Sequence, residues 1–309
     1  NQLGWKPKFY GEKLVKRLIQ EELIKWWGIK IQIIFDHQKF TQQKYGGITR
    51  YFFHLADEFH KLNEDIQIIA PFYSNEYLSQ LPKEIIFGKK IPHTSPLINS
   101  YIFKLNNFLF SRKIKSLNPD IIHETYFFND YYNSSKSIKI ITIHDMIHEK
   151  FPHFFPKKDL TTYYKKIAIK KADKIICVSN HTKNDLLKLY KIDEKKVFTV
   201  HHGISLNKKN SDKKKYKKSP FILYVGSRNI HKNFKVLLKA FCESKKINQN
   251  FNLVLFGGGN LNDNEIEIIE KYQIDKSRIQ IFGGDDKVLK KLYRNATAYV
   301  ITSLYEGFG

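Results

Sequence analysis

Ala298-Tyr299-Val300-Ile301-Thr302-Ser303-Leu304-Tyr305-Glu306-Gly307-Phe308-Gly309 decides how this chain is read. The first four residues are an apolar run, the pattern of a buried strand. A carboxylate, Glu306, follows, and then Gly307 and Gly309 flank the aromatic Phe308. Glycines at a strand end let backbone N–H groups approach a phosphate, and a helix starting there adds its positive end. This is the layout of a nucleotide-binding strand end, and the sequence stops inside it. The expectation is a chain that carries most of an active site and not all of it.

Working outward, apolar runs and helical spacings alternate along the whole sequence. Residues 29–36 (IKIQIIFD) read as a first buried strand. The turn Tyr45-Gly46-Gly47 follows, and then a helix over 48–62 with Ile48, Phe52, Leu55 and Phe59 on one side. Residues 66–70 form a second strand, closed by Pro71; residues 120–123 and 138–144 are further strands. A helix over 161–172, a strand over 174–179, a helix over 183–190 and a strand over 197–201 complete this half. Residues 208–219 (KKNSDKKKYKKS) are charged and aperiodic, and read as a basic linker or exposed loop. Beyond it the spacing predicts strands at 221–225, 252–256, 279–282 and 298–301, with helices at 234–244, 265–272 and 287–294. Such alternation argues for an α/β protein of two Rossmann-like, doubly wound domains, 29–207 and 220–309, the second incomplete. Ligands then sit at the carboxyl ends of the strands.

Composition narrows the class. The net charge is +23, but lysine supplies most of it and arginine, the better fork for phosphates and bases, is scarce. The charge therefore reads as a general surface bias with electrostatic help at an anionic membrane. A basic nucleic-acid-binding protein is the rival reading, and no face with interleaved aromatics and arginines supports it. No apolar stretch is long enough to span a bilayer, and the start has no secretory pattern. Cys177 and Cys242, far apart, give neither a disulfide framework nor a metal spacing. The expected compartment is the cytoplasm, with peripheral contact at the inner face of the membrane.

Polar and glycine positions gather at the predicted strand ends. Gly46-Gly47 either open a helix N-terminus to a phosphate or simply form a tight turn. His144, followed by Asp145, ends a strand, where an imidazole can donate to a hydroxyl or hold a developing charge. Gly226-Ser227-Arg228 and Lys232 put two cations at a helix start. The helix dipole disfavours cations there, so their presence asks for an anion such as a diphosphate. Gly257-Gly258-Gly259 line a nucleotide or form a loop. Asp285 or Asp286 reads as a helix N-cap, and no Asp-x-Asp at a strand end points to a metal.

In chain order, Tyr45-Gly46-Gly47-Ile48-Thr49-Arg50-Tyr51, Ile143-His144-Asp145, Val200-His201-His202-Gly203-Ile204, Leu223–Arg228 with Lys232-Asn233, and 303–309 resemble the retaining glycosyltransferases of family 4. The resemblance covers about residues 29 to 309 and implies the GT-B fold, an acceptor domain and a nucleotide-sugar domain facing across a cleft. It implies transfer of a hexose from a nucleotide diphosphate sugar to a glycan or lipid-linked acceptor, with retention and without a metal, in surface polysaccharide biosynthesis. Gly46 and Gly47 match the loop near the diphosphate and acceptor, and His144 the histidine near the transferred sugar. Arg228 and Lys232 match the diphosphate-binding pair, although many relatives place the arginine where Ser227 stands. Glu306 matches the first carboxylate of the Glu-x7-Glu element, and Gly307, Phe308 and Gly309 the backbone that meets sugar and phosphate. The second glutamate, which holds the ribose, is expected just past Gly309; an inactive fragment is the alternative. Residues 1–28 resemble the tail of a GDP-mannose 4,6-dehydratase, with an amphipathic helix through Val15, Ile19, Leu23 and Trp26. That tail favours GDP-mannose as donor.

Overall fold

The computed structural model describes residues 31–127, 136–203, 219–284 and 286–308. The 1–28 segment and all but Ser219 of the basic 208–219 stretch lie outside the described residues. Among those described, two compact units separate: residues up to 203 together with 307 and 308, and residues 219–306.

In the first unit the elements run β1 (Gln32–Phe35), α1 (Gln38–Gln42), α2 (Gly47–Lys61), β2 (Asp65–Tyr73), β3 (Ile86–Lys90), α3 (Pro96–Leu117), β4 (Ile121–Glu124), β5 (Ile138–Ile143), α4 (Ile147–Lys150), α5 (Thr161–Lys171), β6 (Lys174–Cys177), α6 (Asn180–Leu189) and β7 (Val197–Thr199). The seven strands pair in parallel in the order β3-β2-β1-β4-β5-β6-β7. Parallel strands covered on both faces read as short continuous apolar runs, which is why β1 (QIIF) and β6 (KIIC) were visible in the sequence. On α2, Phe52, Ala56 and Phe59 recur on one face and are buried; Phe52 sets its ring edge-on to Phe35 of β1, centroids 5.2 Å apart. Such a pair adds about 1 kcal/mol to the burial of its area. Strand order reverses between β1 and β4, so their carboxyl ends form the crevice where ligands of this topology bind.

Pro71 does not close β2. The strand continues to Tyr73, and its register against β3 shifts between Ile69 and Phe72. A proline offers no N–H to a ladder, so the chain passes it with an irregularity instead of stopping. Helix α6 begins at Asn180, three residues before the predicted start, because the Ser179 hydroxyl caps it by accepting from the Thr182 N–H at 3.0 Å.

The second unit runs β8 (Phe221–Val225), α7 (Phe234–Glu243), α8 (Lys245–Asn250), β9 (Asn252–Phe256), α9 (Asp263–Lys271), β10 (Ile279–Phe282), α10 (Asp286–Asn295) and β11 (Ala298–Tyr299). Its strands are parallel in the order β10-β9-β8-β11. Phe234, Leu237, Leu238, Phe241 and Cys242 of α7 repeat at helical spacing and pack on Leu253 and Leu255 of β9. Asp285 lies outside the described residues, and β11 is two residues long where four were expected. Val300 still donates its N–H to the Leu223 carbonyl at 3.0 Å.

Candidate functional site

At the carboxyl edge of the first sheet, Gly46 precedes α2 and Gly47 is its first residue. Gly46 caps the helix without a side chain, so no serine or aspartate oxygen occupies the first-turn N–H groups. A Cβ at Gly47 would meet nothing within 4 Å. A Cβ at Gly46, by contrast, would fall 2.2 Å from Gln43 Oε1.

His144 follows β5. Its ring stacks on His202, centroids 5.8 Å apart, and takes the edge of Tyr51 at 5.3 Å. Tyr51 also meets His202 at 5.1 Å. The His144 Nε2 is shut off from solvent and has no hydrogen-bond partner. An orphaned buried nitrogen is costly unless a ligand or water completes it. Burial and the neighbouring His202 push His144 down to about 3, so the imidazole is neutral over the ordinary pH range. Gly307 and Phe308, which group with the first unit, lie beside it: a Cβ on Gly307 would fall 1.7 Å from the His144 carbonyl oxygen. Only a residue without a side chain fits there. The Gly307 carbonyl accepts from Thr182 Oγ1 at 3.0 Å, and the Phe308 ring stands edge-on to His202 at 5.0 Å. Gly309 lies outside the described residues.

Among the described residues burial lowers four imidazoles to about 3 or 4: His144, its neighbour His202, and two further rings in the core. His37 bonds Asn107 Oδ1 at 2.9 Å and Thr41 Oγ1 at 3.2 Å, and burial lowers it to about 4. His123 meets Thr142 Oγ1 at 2.8 Å, and burial lowers it to about 3. Unfolded, each takes a proton near pH 6.5; folded, none does until well below pH 5. Stability contributed by the neutral forms is therefore complete above pH 6.5 and is lost as pH falls, by about 1.4 kcal/mol per histidine per pH unit. Burial raises the Asp36 carboxyl, which offsets one of these protons at most. Urea unfolding of the first unit is expected to show a midpoint that drops steeply from pH 6.5 to pH 5; a flat midpoint would contradict the buried neutral rings.

In the second unit, Lys232 ends a single 3-10 turn after β8, and Glu306 lies beyond β11. Lys232 Nζ meets Glu306 Oε1 at 2.6 Å, with the two side chains 26% and 30% exposed. The backbone holds this pair in place. Thr302 Oγ1 donates to the Lys232 carbonyl at 2.9 Å, and the Leu304 N–H to the His231 carbonyl at 2.8 Å. Two strand ends 74 residues apart in sequence are thus stitched together at one cation and one carboxylate.

Arg228 is differently placed from the sequence expectation. Its Nε donates to both oxygens of Glu265, at 2.9 and 3.2 Å. Its Nη1 donates to the Gly257 carbonyl at 3.2 Å, and its Nη2 to those of Gly259, at 3.0 Å, and Asn260. The anion that this cation asked for is a carboxylate of the protein itself. The loop it braces, Gly257-Gly258-Gly259, has positive φ throughout, +84°, +76° and +75°, in the left-handed region that side chains avoid.

Three partners escaped the sequence reading. Glu265, predicted only as a helix residue, and His202, quoted only within the 200–204 motif, carry no local mark of their partners. Lys39, in the first turn of α1, is 8% exposed, with Nζ 3.2 Å from the Tyr126 ring centroid. Burial pulls its amine down to about 8 against the attraction of Asp145. A lysine within the polar run Asp36-His37-Gln38-Lys39 at a strand end was the available signal. Among the described residues no group of three His, Cys, Asp or Glu side chains is placed to hold a metal ion.

Two parallel α/β units in tandem, shared with solved structures of that fold, place the chain in the GT-B class of α/β proteins. The chain belongs to Glycosyltransferase Family 4, whose description matches residues 45–208; that of the glycosyl transferases group 1 matches residues 207–309. A stretch of 175 residues is 29% identical to the O-antigen chain mannosyltransferase RfbU of Salmonella typhimurium, covering 55% of this chain and 46% of the relative. The chain thus spans about half the length of the curated relatives it matches. The apo lipopolysaccharide outer core galactosyltransferase WaaB shares the fold at a TM-score of 0.57 and 18% identity, over 91% of this chain and 76% of that one. Staphylococcus aureus TarM, in complex with UDP, fondaparinux and alpha-GlcNAc-glycerol, does so at 0.63 and 13% identity, over 91% and 82%.

Proposed function

We propose that the protein transfers a hexose, with mannose foremost, from a nucleotide diphosphate sugar to a glycan or lipid-linked acceptor in surface polysaccharide assembly. The Lys232–Glu306 pair carries this reading. Breaking the anomeric bond leaves its electron pair on the diphosphate, adding a negative charge to the two already there, and an ammonium held at a strand end stabilises it. Lys232 takes that load, and Glu306, released from it, accepts hydrogen bonds from the sugar hydroxyls. His144, neutral and with a vacant Nε2 valence, hydrogen-bonds the transferred sugar and stays neutral through the cycle. Family membership supports retention of configuration and a reaction without a metal, with the lysine in the metal's place. The mannosyltransferase relative and the GDP-mannose 4,6-dehydratase-like tail support GDP-mannose, and the cytoplasm, where nucleotide sugars are made, is the matching compartment. An open cleft of about 490 Å³ in the first unit, lined by Lys44, Ser74, Glu76, Lys90, Ile91, Pro92 and His93, offers an acceptor polar side chains beside an apolar wall.

The test is transfer of labelled sugar by the protein to lipid-linked and free glycan acceptors, with GDP-mannose set against UDP-hexoses. Turnover with GDP-mannose that is unchanged by EDTA is the expected result. Absence of transfer from every donor to every acceptor would sink the reading, and a strict metal requirement would remove Lys232 from its role as the charge that stabilises the leaving diphosphate.

A further inference from the structure

Helix α5 buries an ammonium that the transfer chemistry does not use. Lys165 is 1% exposed, and a lysine is almost never so buried unless it is paired. Its Nζ meets Glu149 Oε2 on α4 at 2.9 Å, the two side chains being 2% and 6% exposed. The same Nζ donates to the Asp145 carbonyl at 3.0 Å, with Asp145 Oδ1 4.0 Å away. The Phe127 ring lies 5.6 Å from it. The other oxygen of Glu149, Oε1, accepts from the Tyr190 hydroxyl, just after α6, at 3.3 Å. The next residue, Lys150, donates to both oxygens of Asp185 on α6, at 3.0 and 2.9 Å. Residues 145–150, which leave the end of β5, are thereby tied to both α5 and α6.

Stability alone is a poor reason to keep such a pair. Desolvating two charges consumes most of their attraction, and a well-packed apolar pair commonly serves as well. What an apolar contact does not supply is direction. The ammonium donates to one particular carbonyl, so turning the peptide after Asp145 breaks a bond in a dry site. That peptide lies next to two features of the candidate site. His144 immediately precedes Asp145, and its ring has the orphaned Nε2. The His144 carbonyl is the seat of Gly307: a Cβ on Gly307 would fall 1.7 Å from that oxygen and 3.0 Å from Asp145 Cα. We infer that Lys165 is a positioning residue: clamped by Glu149, its ammonium holds the Asp145 carbonyl, and through that backbone the His144 ring and the seat of Gly307. The inference rests on the proposed transfer, in which His144 meets the sugar, and adds to it a residue that acts through the backbone from within the core.

A pair of variants of the full chain separates positioning from bracing. Lys165→Met leaves Glu149 buried and unpaired, and is expected to lower the urea midpoint of the first unit. Adding Glu149→Gln removes the stranded charge and is expected to restore most of that midpoint. The rate should not return with it. Neither variant has a donor on the Asp145 carbonyl, so kcat for sugar transfer is expected to stay about tenfold to a hundredfold below wild type in both, the scale of a small misplacement of a reacting group. A double variant that regains wild-type kcat, within about threefold, along with its stability would overturn the inference and leave Lys165 a structural brace. Lys165→Met with Glu149→Met, an apolar pair, is read in the same way if the first double variant folds poorly. A second readout needs no turnover. The His144 ring faces His202, Asp145, His123 and Lys39, and in the wild type it should stay neutral from pH 8 to pH 5 in spectra of the ¹⁵N-histidine-labelled protein. In the double variant the ring is expected to shift its resonances and to take up a proton within that range, as water reaches it. Resonances identical to wild type would count against positioning. Absence of transfer by the wild type would sink the enzymatic reading while the spectra still report on Lys165, so the two failures are distinguishable.

Discussion

Lys232→Ala is expected to lower kcat by about 10²–10³-fold, the effect of removing one preorganised charge from a developing anion. The second unit should barely notice. Lys232 and Glu306 are each more than a quarter exposed, and ion pairs so wetted contribute about 1 kcal/mol or less. Chemistry and stability are therefore separable at this position. The loss should fall on kcat more than on KM, because the charge on the diphosphate grows as the sugar leaves and the lysine's benefit grows with it. Lys232→Arg keeps the charge and should recover part of the rate, limited by a head group of different shape. Glu306→Gln is expected to fail differently. It frees Lys232 without removing it, so donor binding tightens or holds while the sugar loses a carboxylate acceptor and kcat falls. Steady-state kinetics with the preferred donor, alongside thermal melts, reads all three variants. A Lys232→Ala enzyme within about threefold of wild-type kcat would remove the residue from the transition state.

The fold was legible where burial acts on both faces of a strand, as at residues 32–35 and 221–225, and where one stripe of a helix is buried, as in 47–61. It was illegible at α3, which carries apolar residues on both its inner and outer sides and buries asparagines, so no single 3.6-residue stripe marks it. Strand β3 was hidden for another reason. Its Gly88, at φ +153°, lies so close to the Ala70 carbonyl that a Cβ would fall 1.7 Å away, and its residues after Ile86 are exposed, so no apolar alternation survives. The candidate site divides in the same way. Residues marked by a strand end, such as His144, Lys232 and Glu306, were visible one at a time, because a local pattern positions each of them. Their partners were not. Arg228 and Glu265 are 37 residues apart, and His144 and His202 meet only because β7 follows β6 in the sheet order. A local reading of Arg228 could register a cation in need of an anion, but not which anion the fold would bring.

That difference sets the second expectation. Arg228→Ala should destabilise the second unit by about 3–5 kcal/mol, since it strands a buried carboxylate. The side chains of Arg228 and Glu265 are only 5% and 8% exposed, so water cannot replace the lost partner cheaply. Glu265 also serves as the third residue of the α9 capping box, with Oε2 accepting from the Asn262 N–H at 3.0 Å. Loss of the guanidinium therefore loosens three features together: the turn after β8, the glycine carbonyls at 257 and 259, and the start of α9. Adding Glu265→Gln to Arg228→Ala should recover much of the stability, because a neutral amide costs far less to bury unpaired than a carboxylate. A diphosphate ligand predicts the reverse pattern. Arg228→Ala would then leave the unfolding midpoint unchanged and raise KM for the donor, and Glu265→Gln would repair nothing. Chemical unfolding of the single and double variants, read beside donor KM, separates a brace for the glycine loop from a direct contact to the substrate. The guanidinium's nitrogens already donate to one carboxylate and three carbonyls, so a donor phosphate would have to displace protein partners to reach it. The result expected is a stability loss that the second substitution largely reverses.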